Sequence, residues 1–334
     1  MSSPLAPATL SPNNPINQAA VTITLAKLGL AARDRDVADY TSLLKDIWEI
    51  WKNTVLDNAL LLQAIAGADG SDDRQQAGCP FPRQVPHYPS LAKTGVKGLR
   101  ICRLSEGLDR PLADKRVSDL VVKAAKALAE LGAVVDELSV PFHKEASDVW
   151  AVFGRMSATR SLLDEDRSRR QLCLNDLTQK VLPLKQEQLD VMFPTGLNMI
   201  INGLRGSDNM PPTLVGNATN LLRNFRDAYN ATPDNYDVLV MPTLPFLPPK
   251  LPAKEASVAK LMVTSARLSL NTSPATSFTG MPALSLPEGL LSHALGLSAI
   301  LPVGMQIVGK FYAEPIIHRV AYAWEQTYEW KTFA

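Results

Sequence analysis

The sequence predicts an α/β protein in which helices flank a mixed sheet. Short apolar segments of strand length alternate with longer segments whose apolar residues recur at helical spacing. A strand–helix–strand unit begins near residue 98, and a nearly continuous apolar strand follows near residue 236. This alternation is typical of a sheet that is covered by helices on its faces.

The N-terminal part is predicted to be helical after a short disordered arm. Residues 1–15 are rich in Pro, Ser and Asn, which favours disorder. Residues 34–66 contain neither Gly nor Pro and repeat apolar residues at helical spacing, which predicts one long helix or two helices in register. We therefore divide the chain into an arm at 1–15, a helical segment at 16–66 and an α/β region at 67–334.

The α/β region opens with a Pro-rich loop and then a strand–helix–strand unit. The first strand is predicted at Gly98–Leu104, and the helix carries an apolar stripe from Val117 to Leu131. Gly132 follows in the position of a C-terminal cap, and residues 133–141 form the second strand. Two strands joined through a helix predict parallel pairing by a right-handed crossover.

The remaining elements are a helical region, three strands and a final helix. Residues 147–222 are helical in pattern, with breaks at Pro183, Pro194 and Pro211. Strands are predicted within 236–249, 281–289 and 301–310, and the first of these has the composition of a strand buried on both faces. The last helix begins after Pro315, with His318 half exposed. Its predicted buried stripe is Ile317, Val320, Ala321 and Trp324.

Composition argues against several classes of partner. The formal net charge is +1 and no basic block occurs, so a nucleic-acid partner is not expected. No apolar run reaches the ~18 residues that a membrane-spanning helix needs, and the first residues do not form a signal peptide. The three cysteines are scattered, which favours free thiols in a reducing compartment. The sequence therefore predicts a cytoplasmic protein without contact to a membrane.

The sequence contains neither a complete phosphate-binding loop nor a set of histidines at metal-ligand spacing. Residues 304–311, GMQIVGKF, have the spacing of a phosphate-binding loop, but Phe311 stands where a Ser or Thr hydroxyl would be needed. The four residues between the glycines are typical of a strand rather than of a turn. The four histidines lie far apart, without metal-ligand spacing. No cofactor and no metal are predicted.

The sequence gives little support to any candidate nucleophile. Cys79 and His87 share one loop and could form a dyad, but Pro80 follows the thiol and no orienting third group is apparent. Ser273, Ser277 and Ser285 lie in one segment without a recognisable base, and helix capping or strand packing explains them better than catalysis does. The chain contains no GxSxG segment and no Gly-Gly pair.

Five segments, in order along the chain, resemble the amidase signature family, and in particular its acetamidase-like and enantioselective members. They are DNALLLQAIAGADGSDDRQ from Asp57, GVKGLRICRLSEGL from Gly95, YDVLVMPTLPFLPP from Tyr236, NTSPATSFTGMPALSLPEGL from Asn271 and LPVGMQIVGKFYAEPIIHRVAYAWEQ from Leu301. The resemblance implies a large mixed sheet flanked by helices, with an N-terminal helical segment. It also implies amide hydrolysis by a Ser nucleophile, a second Ser on a cis peptide bond and a Lys base.

The segments that carry this triad in the family have no counterpart here. No AVKD-like lysine segment and no GGSSGG-like serine segment occurs, and the elements that flank them in the family meet at residues 55–57. The unbroken apolar phase predicts that this join persists as one helix. We therefore predict no catalytic residues, an incomplete amidase-like sheet with unpaired edges, and no amidase activity of the family type.

Three alternatives stay open from the sequence. The chain could bind a small amide or carboxylic acid without turnover, because the resemblance places Asn271, Thr272 and Thr279 beside the family's substrate pocket. It could be an unstable product that exposes apolar surface and aggregates. It could also be an amidase with an unrecognised nucleophile such as Cys79. The resemblance further implies a homodimer.

Overall fold

The computed structural model describes most of the α/β region and a short part of the N-terminal segment. The described residues are 54–68, 78–110, 113–162, 182–192, 194–231, 236–249, 253, 256–257, 273–292, 300–330 and 332–333. The chain forms two compact units, Met1–Ile65 and Ala66–Ala334. The predicted arm at 1–15 lies outside the described residues, as does the larger part of the helical segment at 16–66.

The secondary structure comprises helices and strands whose bounds follow in chain order. The helices are α1 Val55–Ile65, α2 Tyr88–Ala92, α3 Ser105–Leu108, α4 Lys115–Glu130, α5 Ala146–Leu162, α6 Gln186–Asp190, α7 Pro194–Asn209, α8 Pro212–Asn230 and α9 Glu314–Thr327. The strands are β1 Arg100–Leu104, β2 Val134–Leu138, β3 Val238–Pro242, β4 Ala283–Ser292 and β5 Ile300–Gly309. A single π-helical turn spans Ser273–Phe278.

The helix α1 begins with a local cap. Thr54 Oγ1 accepts a hydrogen bond of 3.1 Å from the amide of Asp57 and donates one of 2.7 Å to the Asp57 carboxylate. This reciprocal pair satisfies an amide that would otherwise lack a partner at the helix start. The sequence predicts that one helix runs unbroken from the preceding segment into residues 55–57. This prediction is wrong, because Thr54 is not helical and α1 begins at Val55. The alternative of two helices concerns residues outside the described part.

The five strands form one mixed sheet in the order β2-β1-β3-β5-β4. Pairing of β1 with β2 and with β3 is parallel, while β5 is antiparallel to both β3 and β4. This confirms the predicted mixed sheet and the predicted strand–helix–strand unit of β1, α4 and β2. The strand β3 is buried at every residue, as its apolar composition predicts. Among the described residues, β2 and β4 are the outermost strands of the sheet.

Helices cover both faces of the sheet. On one face, Val117 and Leu120 of α4 pack with Val303 of β5. On the opposite face, Tyr229 of α8 packs with Leu239 of β3 in the larger cluster of buried side chains. Successive side chains of a strand point to opposite faces of the sheet, so a central strand such as β3 is apolar at every position when both faces are excluded from water.

Glycine and proline residues lie at the helix ends where the sequence predicts them. Gly132 follows the C-terminal cap of α4 with φ of 94°, a backbone conformation that residues with a Cβ rarely adopt. The helices α7 and α8 begin at Pro194 and Pro212, where the missing amide hydrogen costs no helical hydrogen bond. The helix α9 carries Pro315 in its first turn, also as predicted.

The helix α9 buries its predicted stripe and one residue more. Trp324 is 1% exposed, and its ring contacts those of Tyr328 and Phe333 at centroid distances of 4.7 and 4.8 Å. The prediction that His318 is half exposed is wrong, because this side chain is buried. The ring of Tyr88 in α2 stacks on His318 at 5.8 Å, in a segment predicted to be only loop. Burial of His318 lowers the pKa of its imidazole.

The strand β4 contains a bulge with an unusual residue inside it. Its register against β5 shifts between Pro287 and Gly289. The residue at the shift, Glu288, is fully buried, and neither carboxylate oxygen has a hydrogen-bond partner among the described residues. Burial raises the pKa of this carboxyl group well above its usual range.

Candidate functional site

A pair of hydroxyl groups lies on the sheet face that α8 covers. Thr243 follows the carboxyl end of β3, and its Oγ1 is 2.5 Å from Oγ of Ser285 in β4. The two side chains meet across β5 at Gly304, where a Cβ would lie 3.1 Å from each hydroxyl oxygen. Because Gly304 has no side chain, the two hydroxyl groups can approach each other above it. The sequence motif at 304–309 is part of β5, so its strand-like residues do form a strand.

A buried amide lies beside this pair. Gln306 is opposite both Met241 of β3 and Ser285 of β4 in the strand register, so the three side chains share one face. The Gln306 side chain is buried, and its Oε1 has no hydrogen-bond partner among the described residues. An unpaired buried acceptor costs about 1–3 kcal/mol, so such groups are rare in folded proteins. A ligand that donates an N–H or O–H would satisfy it.

The π-helical turn packs on the same face. Ala275 and Met281 belong to the buried cluster that contains Met241. The Thr279 hydroxyl donates to the carbonyl of Ala275 at 2.6 Å and accepts from the amide of Met281 at 3.0 Å. Thr279 is fully buried, so these two bonds hold the turn against the sheet. Substrate binding by Thr279 stays a prediction.

The other two predicted binding residues, Asn271 and Thr272, lie outside the described residues. Single π-helical turns occur frequently at functional sites. The turn at Ser273–Phe278 directly follows these two residues in the chain. Substrate binding by Asn271 and Thr272 stays a prediction.

A second polar group lies at the carboxyl ends of β1 and β2. The Glu106 carboxylate accepts hydrogen bonds from the Ser139 hydroxyl at 2.6 Å and from the Val140 amide at 2.8 Å. Burial acts to raise the pKa of Glu106, but these two hydrogen bonds outweigh it and the pKa is lowered. Carboxyl ends of parallel strands are the usual position of ligand sites in open α/β sheets.

Next to Glu106 is a buried pair of His143 and Tyr229. Their Nδ1 and hydroxyl groups share a hydrogen bond of 2.6 Å, and both side chains are buried. The Arg110 guanidinium donates to the carbonyl of His143 at 3.3 Å. Burial raises the pKa of Tyr229, so its phenol stays protonated. Because the hydrogen bonds of these groups are internal, we assign the network a role in holding α8 against the strand ends.

We expect Tyr229→Phe to lower the free energy of unfolding by about 1–2 kcal/mol, because it removes the hydroxyl partner of a buried imidazole without leaving a large cavity. Urea denaturation followed by circular dichroism measures the change. The matched control is Tyr312→Phe, since Tyr312 is 44% exposed and should be indifferent to the loss of its hydroxyl. Equal midpoints for both variants would contradict a stabilising role.

The candidate nucleophiles are not assembled into a catalytic arrangement in the described part of the chain. Cys79 Sγ is 3.8 Å from the carbonyl of Pro80, while His87 Nδ1 is 2.7 Å from the hydroxyl of Ser90. His87 also accepts from the Ser90 amide and so caps α2. Ser277 is exposed on the π-helical turn, and Ser285 pairs with a hydroxyl rather than with a base.

Neither a metal-binding cluster nor a membrane-spanning helix occurs in the described residues. Within them, no group of three His, Cys, Asp or Glu side chains is placed to hold a metal ion. None of the described helices combines the length and hydropathy that crossing a bilayer requires.

The sequence as a whole matches a known family. A family model described as Amidase matches residues 49–317, which is most of the chain. The chain belongs to the amidase signature family. The resemblance carried by the five motifs is thereby confirmed.

Amidase relatives are longer than this chain. An enantioselective amidase of Rhodococcus rhodochrous is 32% identical over 260 residues, which cover 77% of this chain and 48% of the relative. A glutamyl-tRNA(Gln) amidotransferase subunit of Geobacillus stearothermophilus is 29% identical over 296 residues, which cover 86% of this chain and 56% of the relative. The chain thus spans about half the length of the curated relatives it matches.

Solved amidase structures share the fold. A bacterial aryl acylamidase of the amidase signature family superposes with a TM-score of 0.62 at 20% identity, over 84% of this chain and 52% of that one. A 6-aminohexanoate cyclic dimer hydrolase superposes with a TM-score of 0.60 at 20% identity, over 83% and 54%. The predicted amidase-like α/β class is therefore confirmed.

Several residues of the candidate site were missed by the sequence reasoning. Gln306 is the one polar side chain in the run VGMQIVG, a signal that could have identified it. Glu106 and His143 are polar residues in separate loops, and Tyr229 lies 86 residues beyond His143. Nothing in the sequence indicates that such distant residues meet.

Proposed function

We propose that this chain is an amidase-family protein that does not hydrolyse amides by the family's Ser–Ser–Lys triad. The observation that carries the proposal is the sequence at 55–57, where the helical segment and the DNALLL helix adjoin without an intervening AVKD-like or GGSSGG-like segment. The hydroxyl pair of Thr243 and Ser285 supports it, because no base accompanies the pair among the described residues. A homodimer and a cytoplasmic location stay predictions.

The experiment is an ammonia-release assay of the purified chain with acetamide, propionamide and benzamide. We expect no turnover above the uncatalysed rate, because neither hydroxyl of the Thr243–Ser285 pair has a base beside it among the described residues. The enantioselective amidase of Rhodococcus rhodochrous serves as the positive control in the same assay. A cooperative near-UV circular dichroism transition, at the same midpoint for two protein concentrations, establishes that the assayed chain is folded rather than aggregated.

Turnover that is abolished by Ser285→Ala would contradict the proposal directly. Turnover that is abolished by Cys79→Ala would instead favour the alternative of an unrecognised thiol nucleophile. The Cys102→Ala variant is the matched control, because the Cys102 thiol is buried in the sheet and should not reach a substrate.

A second candidate function is binding of a small amide or carboxylic acid without turnover. The unpaired Gln306 acceptor beside the hydroxyl pair favours it, since an amide N–H could bond to Gln306 Oε1 while the Ser285 or Thr243 hydroxyl bonds to the amide carbonyl. Asn271, Thr272 and Thr279 belong to the same proposal through the neighbouring turn.

Isothermal titration with propionamide tests this candidate. We expect saturable binding that Gln306→Leu weakens about tenfold, because one buried hydrogen bond is lost. The exposed Gln186→Leu variant on α6 should bind as the unmodified chain does. Absence of saturable heat from the unmodified chain would exclude the binding function for this ligand.

A further inference from the structure

A cleft lies between α5 and α7 in the second unit, and none of its lining residues belongs to the candidate site. Its volume is about 230 Å³, and Val152, Met156, Gly206 and Met210 are among its lining residues. A Cβ at Gly206 would lie 3.4 Å from Met156 Cγ, which is an ordinary contact distance, so α5 and α7 approach each other closely at this point. Pockets for drug-sized ligands measure about 300–1,000 Å³, so this cleft suits a smaller molecule.

One wall of the cleft is a polar stripe along α7. Asn202, Arg205 and Asn209 recur at helical spacing and line the cleft together. The Asn202 amide donates to the carbonyl of Asn198, and the Asn209 amide donates to the carbonyl of Arg205, each at 2.8 Å. These two bonds fix the amide groups on the stripe. No ion pair joins Arg205 to another residue of the described part.

The opposite wall is apolar and adaptable. Met156 of α5 is buried, and Val152 lies one turn away on the same helix face. Met210, which follows the last residue of α7, also lines the cleft. Thioether side chains have several rotatable bonds and adjust to branched apolar groups. A ligand for this cleft therefore has one charged end and one short apolar end.

We propose that this cleft binds a small monocarboxylate with a branched apolar tail. The planar guanidinium of Arg205 matches a carboxylate in a bidentate pair, and the Asn202 and Asn209 amides flank it. A single positive charge beside two thioethers suits a monoanion with an apolar group better than inorganic phosphate, which carries more charge and has no apolar surface. This inference is independent of the proposed function.

The test uses the full chain labelled with ¹³C at its methionine methyl groups and titrated with 3-methylbutanoate. We expect saturable shifts of the Met156 and Met210 signals, while Met281 and Met305 in the sheet region stay unchanged. The neutral isostere 3-methylbutanamide and inorganic phosphate should each bind at least about tenfold more weakly, because one lacks the charge and the other lacks the tail.

Two variants localise the interaction. Arg205→Ala should weaken 3-methylbutanoate binding about tenfold or more, because it removes the charge-assisted pair. Arg226→Ala is the matched control, since Arg226 is an exposed arginine on α8 that does not line the cleft. The proposal is overturned if the two variants bind equally, if phosphate or the amide binds as tightly, or if no saturable shift of Met156 and Met210 occurs.

Discussion

Replacing Glu288 with methionine is expected to raise the free energy of unfolding at neutral pH by about 3 kcal/mol or more. The buried carboxyl group has no hydrogen-bond partner among the described residues, and an ionised group in that position is desolvated without compensation. Methionine has a similar length and no polar atoms to desolvate. Guanidinium denaturation at pH 7 measures the difference.

The same residue makes stability depend on pH. Because burial raises the folded-state pKa of Glu288 above its ordinary value of 4.5, the folded protein holds this proton more tightly than the unfolded chain. Its contribution to stability is complete below pH 4.5 and is lost as the pH rises towards the folded-state pKa. The Glu288→Gln variant should lack this decline, so its advantage should grow between pH 4.5 and neutrality.

A control separates this effect from general charge. Glu145→Gln removes a carboxylate from an exposed position and should leave both the stability and its pH dependence nearly unchanged. If Glu288→Gln and Glu145→Gln give the same pH profile, the Glu288 carboxylate has a partner in solution and the expected gain is refuted.

Trp324→Ala is expected to lower the free energy of unfolding by about 3–5 kcal/mol. Its indole is 1% exposed, contacts the rings of Tyr328 and Phe333, and donates from Nε1 to the carbonyl of Pro287 at 3.4 Å. The substitution leaves a cavity between α9 and the bulge of β4. Far-UV circular dichroism is the suitable probe, because the variant also loses one of five tryptophan fluorophores.

The control for Trp324→Ala is Leu214→Ala on α8. Leu214 is 40% exposed, so its truncation should cost well under the value expected for Trp324. A cost below about 1 kcal/mol for Trp324→Ala would mean that the cavity collapses or that the C-terminal aromatic cluster does not persist in solution.

The sequence predicts the sheet well because the strands carry strong local signals. The apolar run at 238–242 indicates a buried strand, and the glycine at 132 indicates the end of a helix. Both features are found in the structure. The exposure of His318 was predicted wrongly because its environment comes from Tyr88, which lies 230 residues earlier in the chain. Local pattern cannot report which distant element covers a helix face.

The candidate site was predictable only in part for the same reason. Thr279 was identified through the family resemblance and Ser285 as a candidate nucleophile without a base, but the pairing of Ser285 with Thr243 depends on strand register across β5. The helix start at Val55 was missed because apolar periodicity continues through it, whereas the cap depends on the Thr54 and Asp57 side chains.

The bulge in β4 limits how the sheet can grow. As the outermost strand of the described sheet, β4 could serve as a template for another extended chain along its ten residues. Pro287 has no amide hydrogen, and the register shift at Glu288 breaks the spacing of the remaining donors. An added strand could keep regular pairing on one side of the break only, over about half of β4. Pro287 and the register shift at Glu288 therefore also disfavour edge-to-edge aggregation of the sheet.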